Sequence, residues 1–149
     1  MHESVLRDFL VGSQPASVLK KDLVGAVVQS SSDTFTPLVT PMEQELIITR
    51  QHALRLCDAV IEGSLAPEDL EPIAFCIIAS DHFQFEDDTP YNERVLDTVH
   101  DWDSPGINYA LTNTTVAKFK KRLLTGEDNF TLDDITKQKK KARLTKSLQ

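Results

Sequence analysis

Residues 81–103 concentrate side chains that could do chemistry. The stretch reads DHFQFEDDTPYNERVLDTVHDWD and holds eight carboxylates, two histidines and four aromatic rings, with Arg94 as its one base. Carboxylates with histidines can ligate a metal ion, and carboxylates interleaved with rings are typical of a protein-binding surface. Three interpretations of this stretch are therefore open: the metal site of an enzyme, the binding surface of a protein that acts on a partner, and a solvated surface with no role of its own.

A catalytic metal centre is the first hypothesis. His100-Asp101 is similar to the histidine–aspartate pair of metal-dependent phosphohydrolases. Further ligands would have to come from an earlier histidine (His52 or His82) and a later aspartate (Asp133 or Asp134). Neighbouring helical residues point about 100° apart, which makes it hard for the dipeptide to share one ion. Asp97 and Asp101 stand at i and i+4 on one face, but such a pair is more often two solvated charges. We predict no metal, no cofactor and no catalysis.

Nucleophilic and phosphate-binding chemistry finds no support in the sequence. Cys57 and Cys76 lie within apolar helical patterns, which predicts buried free thiols and a reducing, cytoplasmic setting. The five glycines are scattered singly, so no glycine-rich phosphate loop is present. The N-terminus lacks a basic region followed by an apolar one, and the longest apolar run, PIAFCIIA, is far shorter than a membrane span.

The charge of the chain is divided unevenly along its length. Net charge is −7 over 149 residues, and residues 58–103 alone hold thirteen acids and one base. Residues 113–149 hold ten bases and four acids. The net charge of −12 over residues 58–103 repels nucleic acid and attracts a basic partner. Because such a charge also weakens the compact state by self-repulsion, a binding role is the simplest reason for it.

Two basic clusters raise the alternative of nucleic-acid binding. KFKKR occupies residues 118–122, and KQKKKARLTK occupies 137–146. Phosphate binding depends on the local field, and residues 1–112 with nineteen acids and six bases oppose it. The first cluster is more simply the solvated face of a helix that pairs with acids of the same chain, and the second a solubilising tail. We therefore predict neither a nucleic-acid nor a membrane partner.

Helical periodicity and capping residues dominate the chain. Gly12, Gly63 and Gly126 are predicted helix stops, Thr49 and Thr112 or Asn113 predicted caps, and Pro90 a predicted start. The apolar pattern and these signals predict helices over residues 2–12, 13–30, 50–63, 64–83, 91–102 and 112–126. Residues 30–43 are predicted to be an extended connector, with a short strand at 36–39. The predicted fold class is all-α: a single helical bundle of five to six helices over residues 1–126, and a basic C-terminal tail, disordered or a frayed helix, over residues 127–149.

The fifth predicted helix should carry an acidic face. Val95, Leu96, Val99 and Trp102 follow the spacing of a core-facing stripe, which turns the helix's acids toward water. Rings supply buried area and acids supply steering, so we predict a partner-binding surface of carboxylates and apolar anchors. The predicted partner-binding residues are Phe85, Glu86, Asp87, Asp88, Tyr91, Asp97, Asp101 and Asp103.

Two segments also carry a family resemblance. FLVGS followed by VLKKDL lies near the N-terminus, and SPGINYALT separates the last two predicted helices. Over residues 5–125 this pattern resembles small helical immunity proteins of bacterial toxin–immunity systems. The resemblance implies a cytoplasmic, acidic inhibitor whose carboxylates stand in for phosphates in the cleft of a basic nuclease toxin. The basic segment after Lys118 departs from that pattern.

The leading hypothesis is thus a non-enzymatic, protein-binding toxin inhibitor. An adaptor or regulatory subunit of a larger assembly, tethered by the basic tail, is the alternative. A metal-dependent phosphohydrolase-like enzyme is the third.

Overall fold

The computed structural model describes residues 1–24, 27–31, 34–37, 39–86 and 89–135. Within those ranges the α-helices are α1 (Glu3–Leu10), α2 (Ala16–Leu23), α3 (Arg50–Ile61), α4 (Leu70–Ala79), α5 (Pro90–Asp103) and α6 (Asn113–Thr125). The strands in the same ranges are β1 (Val27–Ser31), β2 (Thr34–Pro37), β3 (Leu46–Ile48) and β4 (Phe83–Phe85). Short 3-10 turns cover Pro67–Asp69 and Leu132–Asp134.

The helices pack in pairs around one core. α3 lies against α6 and α4 against α5, while α5 also contacts α3 and α6. The largest fully buried side chains are Trp102 of α5 and Phe119 of α6, which meet edge to face with ring centres 6.0 Å apart. Such pairs stabilise a core beyond their buried area. The prediction of a helical bundle is confirmed at this level, and α5 is held from three sides.

The ends of α3 and α6 lie close to where the capping residues predict them. α6 begins after Thr112, whose hydroxyl accepts a hydrogen bond from the Thr115 amide at 3.1 Å. It ends at Gly126, whose φ of 82° lies in the left-handed region that favours glycine. α3 begins after Thr49, whose amide donates to Nδ1 of His52 at 3.1 Å. These local signals are sufficient to place the helices that carry the acidic residues.

The fold is not strictly all-α, which corrects the predicted class. β3 and β4 form a parallel pair with Leu46 opposite Phe83 and Ile48 opposite Phe85. The prediction that the fourth helix runs to Phe83 is wrong because the chain turns at Ser80. The Ser80 hydroxyl accepts the amide protons of His82 (2.9 Å) and Phe83 (3.3 Å), so the chain leaves α4 and enters β4.

The second helix is likewise shorter than predicted. α2 ends at Leu23 because Val24 is extended, and residues predicted as its second half form β1 instead. β1 pairs with β2 in an antiparallel hairpin, with Val27 opposite Pro37. The predicted short strand at 36–39 overlaps β2, although residue 38 lies outside the described residues. β-branched Val27 and Val28 suit a strand at least as well as a helix.

Residues 127–135, predicted as the start of the tail, pack on the helical body. Phe130 stacks on Tyr109 with ring centres 4.0 Å apart, and Tyr109 forms a β-bridge with Ile135. The Ala110 amide donates to the Asp134 carbonyl oxygen at 2.8 Å. This segment is therefore neither a tail nor a frayed helix. The predicted basic tail from residue 136 onward lies outside the described residues.

Candidate functional site

α5 positions most of the predicted partner-binding residues. Thr89 caps it by accepting the Asn92 amide at 3.2 Å, and Pro90 occupies its first position, where no amide donor is needed. Its buried face consists of Val95, Thr98, Val99 and Trp102. Leu96, expected with that face, is half-buried. Three other sides of α5 therefore carry the acids: a flank toward α6, a flank toward α4, and the side that faces solvent.

The flank toward α6 holds Asp101 in an internal ion pair. Its carboxylate accepts a hydrogen bond from Nη1 of Arg122 at 2.6 Å, and Nε of Arg122 donates to Asp128 at 2.5 Å. Arg122 is only 8% exposed, and its guanidinium lies over the rings of Phe119 and Phe130. Burial lowers the pKa of Arg122, but its hydrogen bonds to Asp101 and Asp128 outweigh that effect and raise it. Asp101 is thus neutralised within the chain instead of facing water as expected.

The flank toward α4 holds Asp103. Two positions after Asp101, it points to a different side of the helix because successive residues turn by about 100°. Its charge reaches Glu71 on α4: loss of hydration and then the negative charge of Asp103 raise the pKa of Glu71. The two carboxylates repel each other at this edge. Asp103 and Asp101 therefore belong to opposite flanks and cannot contact one compact partner surface together.

The solvent-facing side of α5 carries Glu93, Asp97 and His100, and we call it the open side. All three residues are exposed. In the part of the chain that the structure describes, no lysine or arginine nitrogen lies within 4.0 Å of either carboxylate. Asp101 lies one turn after Asp97 on the same stripe of the helix, but of the predicted acids on α5 only Asp97 is both exposed and without an ion-pair partner in the described residues.

The residues before α5 are placed by the parallel strands. Phe85 ends β4, is half-buried and packs against the core, which suits a structural role as much as an anchor. Glu86 follows directly and is exposed. Asp87 and Asp88, the centre of the predicted acidic loop, lie outside the described residues.

Tyr91 is exposed, and among the described residues two arginines contact its ring. Its side chain lies in the first turn of α5 and the residue is 51% exposed. The guanidinium carbon of Arg50 lies 4.6 Å from its ring centre, and that of Arg94 lies 5.1 Å away. The predicted apolar anchor is therefore covered in part by two cations of the same chain. Sequence analysis missed this because Arg50 belongs to α3, outside the acidic stretch.

A groove of about 480 Å³ runs between α5 and α6. Besides Asp97 and Asp101 it is lined by residues that were not predicted, mainly Arg94, His100, Tyr109, Arg122 and Asp128. The groove thus brings together two of the predicted acids, and its cations come from α5 and α6. The one sequence signal for it was the KFKKR cluster, whose last residue is Arg122.

The KFKKR cluster is satisfied by acids of the same chain, in agreement with its simpler interpretation. Its members Lys118, Lys120 and Lys121 pair with Asp134 (2.5 Å), Asp58 (2.7 Å) and Glu127 (3.4 Å). Together with the two ion pairs of Arg122, these contacts leave all four bases of the cluster with a carboxylate partner. This surface offers little free positive charge to a phosphate backbone.

The residues of the hydrolase hypothesis do not come together in the described residues. His52 accepts from the Thr49 amide, His82 Nδ1 lies 3.1 Å from the buried Glu3 carboxylate, and Asp134 is bound by Lys118. Across the described ranges, no group of three or more His, Cys, Asp or Glu side chains is arranged to hold a metal ion.

Both cysteines are buried free thiols, as predicted. Burial raises the pKa of Cys57 to about 12 and, likewise, that of Cys76 to about 12. At neutral pH neither is a thiolate nucleophile.

Two further observations bound the site. Among the described residues, none of the helices has both the length and the apolar character to cross a bilayer. Comparison with known proteins gives no family model, no curated protein and no solved structure that matches this chain.

Proposed function

We propose that the chain is a protein-binding inhibitor, an immunity protein that neutralises a basic, nuclease-like bacterial toxin by covering its active cleft. The observation that carries the proposal is the open side of α5. Glu93 and Asp97 stand one turn apart, exposed and without an ion-pair partner in the described residues, on a rigid helix. A cleft that binds nucleic acid presents lysine and arginine side chains to the phosphates. Carboxylates held on a helix can occupy the positions of those phosphates.

Exposed carboxylates near and on α5 support this role. Glu86, Glu93 and Asp97 have no ion-pair partner among the described residues, and Asp87 and Asp88 remain predictions outside those residues. Asp101 stabilises the fold through its ion pair with Arg122, so its charge is not free for a partner. Asp103 lies on the flank of α5 that faces α4. Exposed carboxylates act mainly on the rate of association, so binding should weaken steeply with salt.

A charge-reversal experiment tests the proposal. The chain is used to capture its partner from the native host, and affinity and association rate are then measured for Glu93→Lys/Asp97→Lys. The matched control is Glu43→Lys/Glu45→Lys, which makes the same charge change at two exposed positions before β3. We expect the α5 variant to lose about 100-fold in affinity and the control only a few-fold. The captured protein should be basic, and its nuclease activity should be inhibited at equimolar ratio.

Two results would contradict the proposal. Equal losses in both variants would show that net charge alone matters, and no loss in either would show that α5 is not the interface. Circular dichroism of each variant checks that the helices are intact.

One observation favours the adaptor as a second candidate. A β-bridge holds Ile135 against Tyr109, and the six lysine and arginine residues of 137–149 come after this anchored residue in the sequence. A tether requires such an anchored residue at its start. Deletion of residues 136–149 distinguishes the two: an adaptor loses its assembly, and an inhibitor retains its affinity to within about 3-fold. The deletion must not begin at residue 127, because residues 127–135 pack on the body.

A further inference from the structure

Two arginines of different helices meet at one tyrosine. Arg50 is the first residue of α3 and Arg94 lies in the second turn of α5. Their guanidinium carbons lie 4.6 Å and 5.1 Å from the centre of the Tyr91 ring. We call these three residues the arginine–tyrosine cluster. The cluster stands beside the open side of α5, since Arg94 follows Glu93 directly.

The position of Arg94 is fixed by its surroundings. Its guanidinium lies so close to Gly126 that a Cβ there would sit 2.5 Å from Nη2. Gly126, with φ of 82°, therefore leaves room for the guanidinium in addition to ending α6. A guanidinium held between a ring and a backbone loses little conformational entropy when it binds a ligand.

Among the described residues, the side chains of Arg50 and Arg94 form neither a hydrogen bond nor an ion pair. Contact with a ring occupies the face of a guanidinium, while its N–H donors lie in the plane and point away. Within the described ranges, no carboxylate oxygen lies within 4.0 Å of a nitrogen of Arg50 or Arg94. All four bases of the KFKKR cluster, by contrast, are paired. In a chain of net charge −7, two arginines at one ring that have no ion-pair partner among the described residues are available to an external acid.

We infer that the arginine–tyrosine cluster binds a carboxylate side chain of the partner protein. The inference rests on the proposed function and adds to it: the partner surface is basic but presents one Asp or Glu beside its basic residues. A single carboxylate is favoured over a nucleic-acid backbone because the chain has a net charge of −7, which opposes a row of phosphates more strongly than one acidic side chain on a basic surface. Free acids on the open side then govern the association rate, and the arginines govern dissociation and partner choice.

A peptide selection tests this inference even while the partner is unidentified. A displayed library of random dodecapeptides is selected on the wild-type chain, on Arg50→Gln/Arg94→Gln, and on Arg55→Gln. Arg55 is the matched control because its guanidinium also lies over a ring, that of Phe9 at 4.9 Å, on another side of α3. We expect the wild type and the control to select basic peptides with one conserved acid, and the double variant to select basic peptides without it.

A double-mutant cycle makes the result quantitative. The best wild-type peptide should bind about 10-fold more weakly to Arg50→Gln/Arg94→Gln, and changing its acid to the amide should remove that difference. Arg50→Lys/Arg94→Lys keeps the charge but loses the planar two-point contact, so an intermediate loss is expected. Thermal unfolding of each variant checks the fold, and the lysine variant serves if the glutamine variant does not fold.

The outcomes separate this inference from the proposed function. Selection of peptides without enriched lysine or arginine would contradict the proposed function itself. Basic peptides with no conserved acid, or an unchanged affinity in the double variant, would overturn the carboxylate site alone. Binding of a short single-stranded DNA that depends on Arg50 and Arg94 and exceeds peptide binding would also overturn it, in favour of a phosphate ligand.

Discussion

The α6 flank and the open side of α5 carry the same kind of residue in opposite circumstances. On the α6 flank, Asp101 is bound by Arg122, which is itself almost fully buried. On the open side, Asp97 lies one turn earlier in the sequence and is exposed to solvent. The comparison shows that an acidic stretch is not one surface: part of it stabilises the fold, and only the remainder is free to meet a partner.

The difference originates in the segment that follows α6. Residues 127–135 bring Asp128 and Phe130 onto Arg122, so that its charge is shared by two carboxylates, Asp101 and Asp128, and its guanidinium contacts the rings of Phe119 and Phe130. No comparable segment covers the open side in the described residues. The α6 flank should therefore be sensitive to stability changes, and the open side to changes in binding.

Truncation should give the largest effect on the α6 flank. Deleting residues 127–149 removes Phe130 from Tyr109 and Phe119 and takes Asp128 from Arg122. We expect the free energy of unfolding to fall by about 3–5 kcal/mol, measured by urea denaturation. Deleting residues 136–149 removes six bases but none of these contacts, and it should change stability by less than about 1 kcal/mol. Equal effects of the two deletions would show that the segment does not stabilise the body.

Arg122 itself should give the next largest effect. Arg122→Ala leaves Asp101, at 20% side-chain exposure, without its partner and opens space over Phe119. We expect a loss of about 2–4 kcal/mol in the free energy of unfolding. Lys121→Ala is the control from the same cluster, because its pair with Glu127 is solvent-exposed and should contribute less than about 1 kcal/mol. If both substitutions cost the same, the buried ion pair is not what distinguishes this flank.

The sequence predicts the helices better than it predicts this difference. Thr112 and Gly126 place α6 correctly because capping chemistry is local. Periodicity likewise places Val95, Val99 and Trp102 in the core. It cannot show which acid meets which base, since the partner of Asp101 is twenty-one residues away on another helix.

The parallel strands β3 and β4 were missed for the same reason. β3 and β4 are three residues each and stabilise one another across a long separation in the sequence, so neither is evident alone. Tyr91, predicted as an apolar anchor, is 51% exposed, but its two arginine neighbours follow from the way α3 and α5 pack. Local signals thus define the scaffold, and tertiary contacts decide the electrostatics of the site.

The smallest expected effects concern acidic pH, and they have opposite signs at Asp134, which is bound to α6, and at Glu71 on α4. Burial alone would raise the pKa of Asp134, but hydrogen bonds from Lys118 and Thr131 outweigh it and lower the pKa below its ordinary value of 3.8. Near the α4 flank, loss of hydration and then Asp103 raise the pKa of Glu71 above its ordinary value of 4.5. The folded state therefore releases a proton from Asp134 more readily than the unfolded state, and from Glu71 less readily.

The sign of each contribution follows from this linkage. Asp134 stabilises the fold above pH 3.8, and that stability is lost as the pH falls through its lowered folded-state pKa. Ionised Glu71 disfavours the fold at neutral pH, and the penalty disappears as the pH falls through its raised pKa. Asp134→Asn should therefore destabilise the protein at pH 7 and progressively less in acid, whereas Glu71→Gln should stabilise it slightly at pH 7 and not in acid. Urea denaturation across that pH range measures the free energy of unfolding of both variants. Changes of the same sign for Asp134→Asn and Glu71→Gln would show that the two carboxylates do not have opposite effects on stability.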